Sequence, residues 1–189
     1  VHRLAALLTG RYEIVAGSFS SNRQKAVEEL PDCPLQPERV YGSYRDMLKK
    51  EARLPADKRI DLVVITAPNN MHYPISMASI DAGFHILCER PMTTTLDEAL
   101  NLRRKLRQTD LLFGLTITGC GFPMLIEARR LVTEGQVGDI RRVVIEYPQG
   151  WLATRLETGG NKQASWRTDP RRSGPSGCLA DLGAHGVEI

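Results

Sequence analysis

Long apolar runs are missing from this chain, and their absence argues against a protein that crosses a membrane through a helix. No stretch of roughly 18 apolar residues occurs, so we expect no membrane-spanning helix. The net charge is only +3, and the basic residues form short pairs rather than a stripe, so we expect no nucleic-acid partner. The 4 cysteines match no zinc or redox spacing, and no signal peptide is visible. These features favour a reducing, cytoplasmic setting.

A glycine-rich phosphate loop is also missing. Val1, Leu4, Ala5 and Leu8 share one helical face, and Gly10 is a fitting stop, but no strand and no G-x-G-x-x-G motif precede them. We therefore expect that the chain begins inside an element, and that a first strand and its glycine loop lie upstream. We also expect the 189-residue chain by itself to bind a dinucleotide poorly and to be inactive.

What is present is an alternation of helices and short apolar strands. The pattern predicts helices at 1–8, 21–30, 43–50, 74–82 and 95–106, and strands at 12–19, 60–67, 84–88 and 111–117. The 60–67 strand is expected to be buried on both faces, because its apolar residues are consecutive. Alternation of this kind predicts an α/β fold, a doubly wound parallel sheet, over residues 1–118.

The pattern changes after Gly119. Pro123 opens a helix to about Thr133, and a strand is predicted at 140–147. A long polar stretch without periodicity follows, which is typical of functional loops or linkers. We predict a domain boundary near residue 118 and interpret residues 119–189 as the start of an α+β domain.

Polar side chains follow two neighbouring strands. Ala67-Pro68-Asn69, with His72 three residues on, closes one strand, and Glu89-Arg90-Pro91 closes the next. Carboxyl ends of parallel strands form the edge at which open α/β sheets bind ligands. The alternatives are ordinary turn chemistry for the first loop and a surface ion pair of little consequence for the second.

A third pair stands near the end of the chain. Asp181 and His185 are four residues apart, so on a helix they share a face. A carboxylate beside an imidazole fixes its tautomer and raises its basicity, which suits proton transfer near neutral pH. A plain helical pair is the alternative. No second His or Cys stands at a metal spacing, so we expect no metal site.

These motifs together resemble the glucose–fructose oxidoreductase, inositol dehydrogenase and MocA (Gfo/Idh/MocA) family. The resemblance rests on APNNMH, AGFHILCERP with TTTLDEA, GQVGDIRRV and SGCLADLGAH, in this order. It implies a Rossmann domain followed by a domain with an open, mostly antiparallel sheet. It further implies an oxidoreductase that uses NAD or NADP on sugars, polyols or related compounds, and a parent protein that is a homo-oligomer.

The resemblance also implies roles for individual residues. The loop beside the nicotinamide ribose would comprise Ala67, Pro68, Asn69 and His72. Glu89, Arg90 and Pro91 match the family's Glu-Lys-Pro. Asp181 and His185 match the pair that binds the substrate hydroxyls, with His185 as acid/base and Arg90 polarising the oxygen. Ser20 stands where NAD-preferring members often carry an acidic residue, and with Ser21 and Arg23 it could receive a 2′-phosphate, which favours NADP.

Two departures from the family pattern leave an alternative open. Arg90 replaces the family's Lys, and an arginine does not donate a proton usefully. Thr116-Ile117-Thr118 stands where many members carry His or Asn. The alternative is a non-catalytic dinucleotide- or sugar-binding sensor that keeps the fold.

Overall fold

The computed structural model describes residues 1–20, 24 and 35–187. Of the helix predicted to open at Ser21, only Gln24 is among the described residues, and it is helical. The described helices are α1 (His2–Thr9), α2 (Tyr44–Glu51), α3 (Asn69–Asp81), α4 (Leu96–Leu106), α5 (Pro123–Thr133), α6 (Lys162–Arg167), α7 (Pro170–Ser173) and α8 (Ala184–Val187). Three short 3₁₀ segments (Pro37–Arg39, Thr118–Gly121 and Leu156–Gly159) and a π-helical segment at Leu179–Gly183 complete the helical elements.

Three strands form one sheet. They are β1 (Leu62–Ile65), β2 (His85–Glu89) and β3 (Phe113–Thr116), and they lie side by side in that order. The His85 N–H donates to the Asp61 carbonyl and the Ile86 N–H to the Leu112 carbonyl, each at 2.9 Å. One helix, α3 or α4, connects each strand to the next, which is the crossover of a parallel sheet. The predicted α/β fold is therefore confirmed, and the three strands end at one edge.

Predicted helix ends agree with the structure where a capping side chain or a glycine defines them. Gly10 ends α1 with φ of 61°, a conformation that glycine adopts without steric cost. The Ser43 hydroxyl accepts the Asp46 N–H at 3.1 Å at the start of α2. Thr95 accepts the Glu98 N–H at 3.3 Å, while the Glu98 carboxylate accepts the Thr94 N–H at 3.0 Å rather than that of the cap itself.

Two predicted strands are wrong. Residues 12–19 contribute only one parallel bridge, between Gly17 and Val40, and residues 140–147 are irregular. In the second segment Val143 and Val144 are 69% and 63% exposed. Apolar, β-branched composition favours a strand only when a neighbouring strand supplies the hydrogen-bonded ladder. The antiparallel sheet that the resemblance implies is accordingly not formed by the described part of residues 119–187.

Two finer predictions are also corrected. Strand β1 is not buried on both faces: Val63 and Ile65 are buried, but Val64, which points the other way, is 41% exposed. Helix α3 begins at Asn69, so Pro74 lies inside it rather than in its first turn. The Met71 N–H donates to the Pro68 carbonyl at 2.8 Å, which starts the helical turn directly after Pro68.

The chain divides into two compact units. The first comprises described residues of Val1–Ile65, Ile75–Leu87 and Arg104–Phe113, and the second comprises those of Thr66–Pro74, Cys88–Arg103 and Gly114–Ile189. Apolar side chains from the strands, from α2 and α3 and from the segments beside them form the buried core of the first unit: Val40, Met47, Leu48, Ile60, Val63, Ile65, Ile75, Ile80, Phe84 and Ile86. The loops after all three strands belong to the second unit.

A fully buried carboxylate lies in the core of the first unit. Glu51 accepts hydrogen bonds from Arg39 (Nε, 3.1 Å; Nη2, 2.6 Å), from the Tyr41 hydroxyl at 2.8 Å and from the Ile60 N–H at 3.3 Å. Burial and the adjacent carboxylate raise the pKa of Tyr41 to about 12. Four donors therefore compensate a charge that would otherwise be costly to bury.

Candidate functional site

The candidate site lies within the second unit, where the loops after β1 and β2 are in one compact body with the end of the chain. Its central contact joins the second loop to the Asp181 segment: Arg90 Nη1 donates to Asp181 Oδ1 at 3.1 Å. The two side chains are 20% and 23% exposed. Two motifs that are 91 positions apart in sequence therefore meet through opposite charges that solvent can still reach.

A second arginine holds the other oxygen of the same carboxylate. Arg167, the last residue of α6, donates from Nε to Asp181 Oδ2 at 3.2 Å and is 25% exposed. The Arg167 guanidinium lies 4.1 Å from the ring centroid of Trp166 and 5.4 Å from that of Trp151. The sequence alone did not identify this residue, because the polar stretch that contains it has no periodicity and its Trp-Arg pair does not indicate a partner.

The sequence predicts that Asp181 and His185 share a face if they lie on a helix, and the segment that joins them is not a regular α-helix. Asp181 belongs to the π-helical segment, and His185 belongs to α8. A π-helical turn closes through i→i+5 hydrogen bonds, so the four-residue spacing no longer stacks side chains as it does on an α-helix. Such turns are frequent at functional sites. Here Asp181 lies in such a turn, and its carboxylate contacts the two arginines.

His185 is less basic than the sequence suggests. Burial lowers its pKa from 6.5, and the Arg90 charge lowers it further, while the charges of Asp181 and Glu89 act in the opposite direction. Asp181 thus makes this imidazole more basic, as the sequence predicts, but burial and Arg90 outweigh the carboxylates in the net pKa. The imidazole also meets the Tyr147 ring edge to face at 5.3 Å.

Two residues of the first loop are buried and bonded to backbone groups. Asn69 is 4% exposed and donates from Nδ2 to the Ser173 carbonyl at 2.9 Å. His72 is 1% exposed, and its ring nitrogens lie 2.6 Å from the Pro91 carbonyl and 2.8 Å from the Ala67 carbonyl. This arrangement leaves His72 no ring nitrogen for a ligand. Contact of these residues with a cofactor stays a prediction, and the structure adds a role in holding the loops together.

His72 connects two loops through its two ring nitrogens. Both of its partners are backbone carbonyl oxygens, one from Ala67 after β1 and one from Pro91 after β2. The imidazole therefore ties the loop after β1 to the loop after β2.

Replacing His72 by glutamine is expected to lower the free energy of unfolding by about 1–3 kcal/mol, because one amide nitrogen cannot occupy the positions of both ring nitrogens and one of the two carbonyls loses its partner. Urea unfolding followed by circular dichroism measures the change. Asn70→Ala is the matched control, since Asn70 is exposed on the same helix. Equal stability of the two variants would contradict the bridging role.

The edge of the sheet carries a polar group that lacks a partner. Thr116 Oγ1, at the carboxyl end of β3, is buried and accepts or donates no hydrogen bond among the described residues. Around the same strand ends, Pro68, Glu89 and Pro91 are half-buried rather than enclosed. An open edge with an orphaned hydroxyl fits a ligand that supplies polar atoms, and a nicotinamide carboxamide and ribose have such atoms.

The remaining predicted residues lie elsewhere. Ser20 belongs to the first unit and is half-buried, and Ser21 and Arg23 fall outside the described residues. No group of three or more His, Cys, Asp or Glu side chains in the described part of the chain could hold a metal ion. Among the helices that the structure describes, none is long and apolar enough to cross a membrane.

Comparison with known proteins gives matches along almost the whole chain. Residues 7–116 match the Gfo/Idh/MocA family model described as an oxidoreductase family with an NAD-binding Rossmann fold, and residues 125–189 match the model of the Gfo/Idh/MocA C-terminal domain. The uncharacterized oxidoreductase YfiI of Bacillus subtilis is 31% identical over 185 residues, which cover 97% of this chain and 47% of that protein. The NADP(+)-dependent scyllo-inositol 2-dehydrogenase IolW of the same organism is 31% identical over 70% of this chain and 34% of its own length.

Solved structures agree with the sequence matches. The structure of an inositol dehydrogenase homolog from Azotobacter vinelandii, complexed with NAD⁺, superposes with a TM-score of 0.87 at 34% identity, over 93% of this chain and 44% of that one. The chain thus spans about half the length, or less, of these relatives. On the matches to both family models, this chain belongs to the Gfo/Idh/MocA family of oxidoreductases, with an NAD-binding Rossmann fold over residues 7–116.

Proposed function

We propose that the whole protein is an NAD(P)-dependent oxidoreductase that transfers a hydride between the nicotinamide and a sugar, a polyol or a related carbonyl or hydroxyl compound. The observation that carries the proposal is the contact of Arg90 with Asp181 at 3.1 Å. It joins a strand-end loop of the dinucleotide-binding fold to the segment that contains His185. The proposed cofactor edge and an acid/base residue are thereby parts of one compact unit.

His185 is the proposed acid/base. Burial and the Arg90 charge lower its pKa, so the imidazole is neutral at pH 7 and can accept the proton of a substrate hydroxyl. In the reverse reaction the imidazolium returns that proton to the carbonyl oxygen. The edge-on contact with Tyr147 restricts the ring and supports this role.

Arg90 and Asp181 are proposed to bind the reacting oxygen and its neighbours. Arg90 keeps its charge through the cycle, so it polarises the oxygen but does not transfer a proton. Asp181 accepts hydrogen bonds from substrate hydroxyls and orients them toward His185. Both side chains are partly exposed, as groups that meet a substrate must be.

A bound nicotinamide cofactor supplies the hydride acceptor or donor. The chain's groups that would hold it are the backbone of Ala67 and Pro68, the side chains of Glu89 and Arg90, and the ring of Pro91. Asn69 and His72 would act by fixing the two loops. The absence of an acidic residue at Ser20 supports a preference for NADP over NAD, with Ser21 and Arg23 as the other proposed phosphate ligands.

The proposal is tested by measuring reduction of NADP⁺ and NAD⁺ by the whole protein with a panel of inositols, aldoses and ketoses. We expect turnover with at least one hydroxyl compound, and faster turnover with NADP⁺. Cofactor binding without turnover of any compound, in either direction, would contradict the enzymatic assignment.

A second candidate function is favoured by the presence of arginine at position 90. A sensor that binds a dinucleotide or a sugar needs no proton donor at position 90, and Ile117 likewise offers no polar group.

The Arg90→Lys variant distinguishes the enzyme from the sensor. We expect kcat to rise by about tenfold or more if the protein is an enzyme, because an ammonium group can donate a proton where a guanidinium cannot. An inactive Arg90→Lys variant that still binds ligand would favour the sensor.

The setting and assembly of the protein are also proposed. A reducing, cytoplasmic location is proposed from the sequence, because the spacings of the 4 cysteines match no zinc or redox motif. Assembly into a homo-oligomer and the domain boundary near residue 118 remain predictions from the sequence. Light scattering of the whole protein measures its oligomeric state.

A further inference from the structure

We infer that Arg167 is a positioning residue, which acts through Asp181 and sets the environment in which His185 works. This inference rests on the proposed function, because it concerns the same site. Arg167 Nε donates to Asp181 Oδ2 at 3.2 Å, while Arg90 Nη1 donates to Oδ1 at 3.1 Å. Each carboxylate oxygen therefore has its own arginine, and the orientation of the carboxylate plane is determined from both sides.

Arg167 is itself held in place by several groups. Its Nη1 donates to the Gln163 side-chain oxygen at 2.6 Å and to the Gln163 carbonyl at 3.2 Å. Its guanidinium lies 4.1 Å from the centroid of the Trp166 ring and 5.4 Å from that of Trp151. A planar cation stacked on an indole and bonded at a second nitrogen loses little further freedom when it binds a carboxylate. Arg167 is therefore a rigid anchor for Asp181.

The anchor matters because it limits how strongly Asp181 acts on His185. The charged groups that act on His185 are Arg90, Asp181 and Glu89, with the Tyr147 ring against its edge. While the two arginines hold Asp181, its charge only partly opposes the effect of burial and of Arg90 on the imidazole. Without Arg167 the carboxylate would be held only by Arg90 at Oδ1, and its other oxygen would turn toward the imidazole and stabilise the protonated form. Arg167 thus favours a neutral His185, which is the form that accepts a proton.

Arg167→Ala tests the inference, with Arg171→Ala as the matched control. Arg171 lies four residues further on, is 89% exposed, and pairs with Asp169 at the start of its own short helix. For Arg167→Ala we expect kcat/KM to fall by about 100-fold, as for a misplaced substrate-orienting group. We also expect the acid limb of its pH profile, and the titration of the His185 ring followed by NMR, to move to higher pH. The Arg171→Ala variant should match the parent protein in all three measurements.

A double-mutant cycle shows whether the effect passes through Asp181. In an Asp181→Asn background, Arg167→Ala should cost little further activity and should leave the His185 titration unmoved, since the charge it orients is gone. Additive losses in kcat/KM, or an unmoved His185 titration in the folded single variant, would overturn the inference. If Arg167→Ala does not fold, Arg167→Lys replaces it. Lysine keeps the positive charge but lacks the planar guanidinium with its several N–H donors, so the His185 titration should shift less but in the same direction.

The outcomes separate this inference from the proposed function. The NMR titration needs neither cofactor nor turnover. A His185 titration that moves in a protein inactive toward every polyol supports the positioning role and contradicts the enzymatic assignment. An active protein in which Arg167→Ala changes neither the rate profile nor the titration supports the enzyme and overturns the positioning role.

Discussion

Replacing His185 by asparagine is expected to lower kcat for polyol oxidation by about 100- to 10,000-fold, the usual contribution of a positioned general base. Asparagine keeps a polar side chain of similar reach but cannot take up the hydroxyl proton. We expect KM to change much less than kcat, because the proposed hydroxyl ligands, Asp181 and Arg90, remain. Steady-state kinetics of the whole protein with its best hydroxyl substrate measures both constants.

The pH dependence of the parent protein gives a second test of the proposed acid/base role of His185. Burial and Arg90 lower the pKa of His185 below 6.5, so the imidazole stays neutral down to a lower pH. We therefore expect the acid limb of the kcat/KM profile below pH 6.5.

Asp181→Asn removes a charge that raises the pKa of His185, so this variant should move the acid limb to still lower pH. His85→Asn is the control: His85 lies on β2 and accepts the Leu112 N–H at 3.0 Å, and the variant should retain the parent profile. An acid limb unaffected by His185→Asn would contradict the assignment.

Replacing Glu51 by glutamine is expected to destabilise the protein by about 3–5 kcal/mol, the cost of breaking a buried ion pair from one side. The glutamine amide nitrogen cannot accept a hydrogen bond, so it would face donors that Glu51 now satisfies on both oxygens. Arg39 would keep its charge without a counter-charge. Since domains are stable by about 5–15 kcal/mol, this one substitution removes a large part of the total.

Guanidinium unfolding of the two forms measures that difference. Glu38→Gln is the matched control, because Glu38 is exposed near the same arginine in sequence and should change stability by no more than about 0.5 kcal/mol. Similar midpoints for the Glu51 and Glu38 variants would show that the buried network contributes little, and that the carboxylate is hydrated in solution.

Local signals in the sequence predicted much of the fold. Gly10, Ser43 and Thr95 each end or begin a helix for reasons contained within four residues, and the structure confirms them. Strands were predicted less well, because a strand depends on a partner that local composition does not reveal. Residues 140–147 have the composition of a strand, yet they form no ladder with the described chain.

The candidate site shows the same division between local and distant causes. Strand-end loops at Pro68 and Glu89 could be predicted, because parallel strands present their ends at one edge. The contacts of Arg167 and the buried pairing of Glu51 with Arg39 could not, because each depends on which distant group a long side chain meets. The π-helical segment at Leu179–Gly183 has no sequence signal that we recognise, and neither do the two arginine contacts of its Asp181.

Transfer of deuterium from a carbon-deuterated polyol to the cofactor tests the central claim most directly. The whole protein is incubated with NADP⁺ or NAD⁺ and a deuterated inositol or aldose, and the cofactor is analysed by mass spectrometry. We predict labelled NADPH or NADH with the parent protein, and a label greatly diminished with His185→Asn although ligand binding is retained. Unlabelled cofactor from a parent protein that binds both ligands would contradict hydride transfer at this site.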